Sequence, residues 1–78
     1  MKIHVFASLK DFMPAEIELN SDVLHDVDSV KEFLKESYPA ASALLEACRF
    51  STDKELVSLD QIITSYENLY VIPPSSGG

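Results

Sequence analysis

The chain has 78 residues, 46% of them hydrophobic and 24% charged, which is enough for one small domain and too few for two, since domains commonly run to about 100–150 residues. A chain near this size buries only about 60% of the surface it exposes when unfolded, so a deep enclosed active site is excluded and any chemistry calls for a partner. Thirteen acidic residues against six Lys and Arg give a formal net charge of −7, which repels phosphate backbones and argues against nucleic acid as a ligand.

The charge is also uneven. No Lys or Arg follows Lys54, whereas Glu55, Asp60 and Glu67 do, and that end suits a basic partner surface. The single cysteine, Cys48, cannot form an internal disulfide and fits a reducing compartment. The opening residues, with Lys2 as their one cation, hold too short an apolar stretch for a signal peptide, and no run reaches the roughly 18 residues of a membrane span. A soluble cytoplasmic protein without membrane contact is expected.

Residues 2–8 alternate, with Ile3, Val5 and Ala7 on one side and His4 and Phe6 on the other, the period of a half-buried strand. Glu16, Ile17, Glu18 and Leu19 repeat the pattern, and the short segment between, with Met13-Pro14, predicts an antiparallel hairpin. Ser29 followed by Glu32 fits a capping box, and Val27, Val30, Leu34 and Tyr38, with Phe33 beside them, recur at helical spacing. Lys31, Glu32, Lys35 and Glu36 are assigned to the solvated face of this helix, and Pro39 stops it. Ala41, Leu44, Leu45 and Cys48 make the stripe of a second, short helix. Residues 49–51 and 55–58 flank the turn residues Thr52-Asp53-Lys54 and predict a second hairpin. Residues 68–72 form the last strand, Leu69 and Val71 facing one way and Tyr70 and Ile72 the other.

This order is α+β, a mixed sheet of about five strands packed on one main helix plus a short second one. The β-grasp arrangement satisfies it, and a ferredoxin-like split βαβ competes but needs a second full helix. A β-grasp domain is expected over residues 1–72 and a flexible tail over 73–78, because Pro73 and Pro74 extend the chain and Ser75, Ser76, Gly77 and Gly78 have too little side chain to hold it down.

The only two glycines are Gly77 and Gly78. A terminal pair arises by chance in about 0.5% of chains of average glycine content. Two missing Cβ atoms beside a free carboxylate let a chain end thread a narrow channel, although a frayed end or a cloning scar would read the same way. The wider string Leu69-Tyr70-Val71-Ile72-Pro73-Pro74-Ser75-Ser76-Gly77-Gly78 resembles the ubiquitin-like sulfur carriers, most closely the small subunit of molybdopterin synthase, whose chain typically ends in an apolar residue, two prolines, two further residues and Gly-Gly. Leu56-Val57-Ser58-Leu59-Asp60 and the opening Ile3-His4-Val5-Phe6-Ala7 are similar too. Two departures stand out: Ile63-Thr64-Ser65-Tyr66-Glu67 lacks the Asp-Gly turn common before the last strand, and Ser75 replaces the usual valine. Thiamine-pathway carriers share the Gly-Gly end, but the paired prolines favour the molybdopterin branch.

The resemblance implies that the Gly78 carboxylate is adenylated by a ubiquitin-activating-type enzyme using ATP, converted to a thiocarboxylate, and gives its sulfur to a pterin precursor in molybdenum cofactor biosynthesis. It implies an accessory subunit with no stand-alone activity and no cofactor of its own, working with the large catalytic subunit of molybdopterin synthase. Pro73, Pro74, Ser75, Ser76 and Gly77 would lie in the partner's channel. Phe6, Leu56 and Ile72 are candidate anchors beside the tail, since alternation places Phe6, Tyr70 and Ile72 away from the core residues, and the alternative is ordinary scattered surface. A ubiquitin-like protein modifier, or an interaction module with an incidental Gly-Gly, remains open.

Other groups point to structure. Cys48 reads as a small buried hydrophobe. His4, taken as an exposed strand residue, and His25 are far apart, with no second ligand at metal spacing. Asp22, Asp26 and Asp28 lack the glycine and bidentate glutamate of a calcium loop and suit the start of a helix.

Overall fold

The computed structural model describes residues 1–20 and 24–74. Asp22 and residues 75–78, with the Ser75, Ser76, Gly77 and Gly78 assignments, lie outside the described residues. Five strands form one mixed sheet: β1 (Lys2–Val5), β2 (Glu16–Glu18), β3 (Arg49–Ser51), β4 (Leu56–Val57) and β5 (Asn68–Ile72), in the order β2-β1-β5-β3-β4. β5 is central, parallel to β1 and antiparallel to β3, and both hairpins, β1–β2 and β3–β4, are antiparallel. Helices α1 (Val27–Ser37) and α2 (Ser42–Glu46) lie between the hairpins in sequence. This is the β-grasp arrangement. A split βαβ fold is ruled out by α2, which at five residues is too short to serve as its second helix.

The core is built by alternation. Ile3 and Val5 of β1, Phe50 of β3 and Leu69 and Val71 of β5 turn to one face of the sheet, where Val27, Val30 and Leu34 of α1, Ala41 and Leu45 cover them. All ten are at most 2% exposed. The period-two and helical stripes thus meet as the sequence pattern requires.

Three local readings change. The first strand stops at Val5 rather than running to residue 8, because Ala7 takes φ 53° and opens a 3₁₀ turn over Ala7–Asp11. That turn drops Leu9 and Met13 into the core in place of Ala7, which is exposed. The cap of α1 is Asp26, not Ser29: an Asp26 carboxylate oxygen accepts from the Ser29 backbone N–H at 2.8 Å and from its hydroxyl at 2.6 Å. These bonds to the charged form hold the Asp26 carboxyl below its usual range. Lys31 is not on the wet face. It is 8% exposed, its stem buried, and its ammonium reaches Glu46 of α2 at 3.0 Å. Lys35 also pairs with Glu46, so two lysines of α1 converge on one carboxylate of α2.

The segment between β4 and β5 holds the start of α1. The N–H groups of Val27 and Asp28, which have no partner within the helix, donate to the carbonyls of Gln61 at 3.1 Å and Leu59 at 2.9 Å. Ile63 donates to the His25 carbonyl at 2.9 Å and is fully buried. The chain then turns by a Tyr66 N–H to Ile63 carbonyl bond of 3.0 Å. Among the described residues Ala7 alone has a positive φ outside glycine, so this turn forms without the left-handed residue that an Asp-Gly pair supplies.

Candidate functional site

The opposite face of the sheet has no helix over it. Cross-strand pairing sets one row of side chains across it, Glu16–His4–Tyr70–Ser51–Leu56, and the next row brings Ile72 beside Arg49. Three rings stack along β1 and β5. His4 and Tyr70 have centroids 4.8 Å apart at 16°, and Phe6 lies 6.1 Å from Tyr70 at 17°. Phe6 reaches this position although the strand has ended, because its φ of −133° and ψ of 161° keep the backbone extended for one more residue before Ala7 turns away.

The ladder is fastened at both ends. A His4 ring N–H donates to Asn68 Oδ1 at 2.8 Å, while its other nitrogen stands 3.8 Å from a Glu16 carboxylate oxygen. The Tyr70 hydroxyl donates to Asp53 Oδ1 at 2.6 Å, and this bond to the neutral phenol pushes the Tyr70 pKa up. His4 is therefore a stacked, hydrogen-bonded, half-buried residue rather than a free strand side chain. Cross-strand ring pairs of this kind stiffen a sheet face.

The anchor candidates stand at the margins of the ladder. Phe6 is 43% exposed, Leu56 55% and Ile72 38%. Val57, next to Leu56, packs against the core, so the two diverge as a strand requires. Pro73 and Pro74 follow Ile72 directly, and β5 ends at Ile72, so the chain leaves the sheet from its central strand beside Phe6 and Arg49. Gly77 and Gly78 lie outside the described residues.

Arg49 is the residue at this site that the sequence reading passed over. Its alternation with buried Phe50 was legible, but its place next to Ile72 depends on the antiparallel register of β3 on β5, which no local pattern encodes. Cys48 takes no part: its thiol donates to the Leu44 carbonyl at 3.2 Å, and burial pushes its pKa up to about 11, the reverse of an activated thiolate. His25 is exposed and only its backbone carbonyl is engaged, accepting from the Ile63 N–H, while the β-bridge beside it pairs Asp26 with Ile62. Among the described residues no three His, Cys, Asp or Glu side chains gather as metal ligands, and no helix is long and apolar enough to cross a membrane.

No protein-family model matches this sequence, and no curated protein does. Among solved structures, the crystal structure of SAMP1 from Haloferax volcanii superposes with a TM-score of 0.72 over 99% of this chain and 97% of that one, at 19% identity. The chain shares the β-grasp fold of SAMP1. At this identity the likeness is one of fold, and it extends over both hairpins, the helices and the central strand.

Proposed function

We propose that this chain is a ubiquitin-like sulfur carrier that works through its Gly78 carboxylate, in the manner of the small subunit of molybdopterin synthase. The observation that carries this reading is the string Pro73-Pro74-Ser75-Ser76-Gly77-Gly78 set directly on the central strand of a β-grasp sheet. Six extended residues span at most about 20 Å, enough to carry Gly78 from the sheet into a neighbouring protein's channel while Phe6, Leu56 and Ile72 dock at its mouth.

The chemistry follows from the group. A carboxylate is a poor electrophile, so an adenylating enzyme of the ubiquitin-activating type must first let a Gly78 oxygen attack the α-phosphorus of ATP, releasing pyrophosphate. Attack of a hydrosulfide-level sulfur on the acyl carbon then expels AMP and leaves a terminal thiocarboxylate. Its sulfur is nucleophilic without help from any side chain of this domain. The receiving large subunit supplies the pterin site, and this chain binds no cofactor in either step.

Intact mass measurement of the protein from its native host tests the reading. It requires a chain ending at Gly78 and a fraction heavier by about 16 Da, one oxygen exchanged for sulfur. Adducts joined through Gly78 to other proteins would instead make it a modifier, and a thiocarboxylate consumed in thiazole rather than pterin synthesis would place it on the thiamine branch. Deleting Gly77 and Gly78 should abolish adenylation with a melting shift below about 2 °C, since neither residue has a side chain to pack. A larger shift would mean that the tail is structural.

A further inference from the structure

We infer that Arg49 is the charge that sets the register of this domain on its adenylating enzyme, and that the enzyme presents a carboxylate to it beside the mouth of the tail channel. The inference rests on the Gly78 reading above and takes the adenylating enzyme as the partner because every use of a terminal carboxylate, transfer or conjugation, begins there.

Three features of the sheet face carry it. First, Arg49 is exposed, and no ion pair or side-chain hydrogen bond engages it among the described residues. Second, the neighbouring acids on this face are already occupied: Asp53 accepts from Tyr70, and Glu16 stands against His4. In a chain of net charge −7, a guanidinium thus stands at the tail root with no carboxylate of the described residues paired to it. Third, Arg49 is the cross-strand partner of Ile72, the last residue of β5. Directly opposed residues on one face sit about 4.5–5.5 Å apart at Cβ, so a partner that covers Ile72 and Pro73 also meets the Arg49 side chain.

Covering it with apolar surface would strand a desolvated charge. A carboxylate can accept from the guanidinium fork in two parallel bonds, which fixes orientation as well as distance. The apolar anchors alone would let the domain slide or rotate on the enzyme. A bidentate pair next to the tail root removes that freedom where it would misplace Gly78 at the ATP phosphorus. The enzyme surface is therefore of mixed sign: a carboxylate at the mouth for Arg49, and cations deeper in the channel for the carboxylate of Gly78 and the phosphates of ATP.

The test is pyrophosphate exchange into ATP by the host's adenylating enzyme, with the full chain as substrate, over wild type, Arg49→Glu, Arg49→Lys and Lys2→Glu. Lys2 lies at the opposite end of β5, paired with Asn68, and its replacement makes the same change in net charge. Arg49→Glu should raise the KM for the carrier about tenfold or more with kcat little changed. Arg49→Lys, which keeps the charge and loses the fork, should raise it about threefold, and Lys2→Glu should leave it near wild type. Equal KM for wild type and Arg49→Glu would overturn the role of Arg49 and leave the Gly78 reading standing, as would a matching rise in Lys2→Glu, which would indicate net charge alone. A wild-type chain that supports no exchange would overturn the Gly78 reading, and this one with it. Circular dichroism and melting of the variants separate a loss of docking from a loss of fold.

Discussion

The two faces of one sheet are made from alternate residues of the same strands and have opposite fates. Ile3, Val5, Leu69, Val71 and Phe50 are sealed beneath α1 and α2, and their contribution is burial, about 25 cal/mol for each Å² of apolar surface removed from water. His4, Phe6, Tyr70, Ile72 and Arg49 occupy the other face, where rings stack on one another and two are tied by hydrogen bonds. The inner face holds the domain together. The three rings of the outer face are ordered by one another without being covered, so in the docking proposed above part of their rotamer freedom has been given up already.

Substitutions that confine themselves to one face should separate stability from association. The largest effect belongs to the inner face. Leu69→Ala, at a fully buried position in the central strand, should cost about 2–5 kcal/mol, a large part of the roughly 5–15 kcal/mol that holds a small domain together. Urea unfolding measures it, and a loss below about 1 kcal/mol, closer to that of a surface site, would show that the helices seal the sheet less tightly than their burial indicates.

On the outer face, Phe6→Ala should weaken association with the proposed adenylating enzyme or large subunit by about 1–2 kcal/mol. The same variant should change stability by much less, since Phe6 keeps nearly half its surface in water. Titration calorimetry and denaturant unfolding on one preparation give both numbers. If Phe6→Ala, Leu56→Ala and Ile72→Ala all bind as wild type does, the outer face is not the docking surface.

A smaller effect, outside both faces, is set by pH. The folded Asp26 carboxyl titrates below its ordinary value of 3.8 because Ser29 bonds to its charged form. A depressed folded pKa contributes stability that is complete above the unfolded value and is lost as pH falls through it toward the folded one. Asp26→Ala should therefore melt lower than wild type at neutral pH, and the gap should close as the pH is taken below 3.8. A gap that persists in acid would assign the difference to packing rather than to the cap.

The smallest effect is expected at Ala7, whose φ of 53° costs a residue with a Cβ about 1–2 kcal/mol. Glycine relieves that strain but loses more freedom on folding, about 0.5–1 kcal/mol. Ala7→Gly should thus stabilise by no more than about 1 kcal/mol and leave Phe6 in its stack. Loss of binding without loss of stability would mean that the stiffness of this turn aims Phe6.

The sequence by itself determined the order of the strands and the two α-helices and most of the residues they turn inward, because a strand repeats every two residues and a helix every 3.6, and both periods are written in the order of the side chains. It also determined the α+β class of the fold, and that two prolines precede Ser75, Ser76 and a Gly-Gly pair. The tertiary structure decided what depends on pairing between distant segments. The capping bond at Asp26 was locally encoded, but Ser29 offered the same chemistry, and the choice went to the residue at which the segment from Leu59 to Ile63 supplies carbonyls to the first turn. Lys31 looked solvated on a helical wheel and is buried, because α2 packs there and brings Glu46 to meet it. Ile63, an isolated apolar residue in an irregular segment, gave no periodic signal, and it is in the core. Arg49 became part of the site only through the register of β3 on β5. A one-residue slip would have turned it to the other face, and that register is set by how well the buried side chains fit together across the whole sheet.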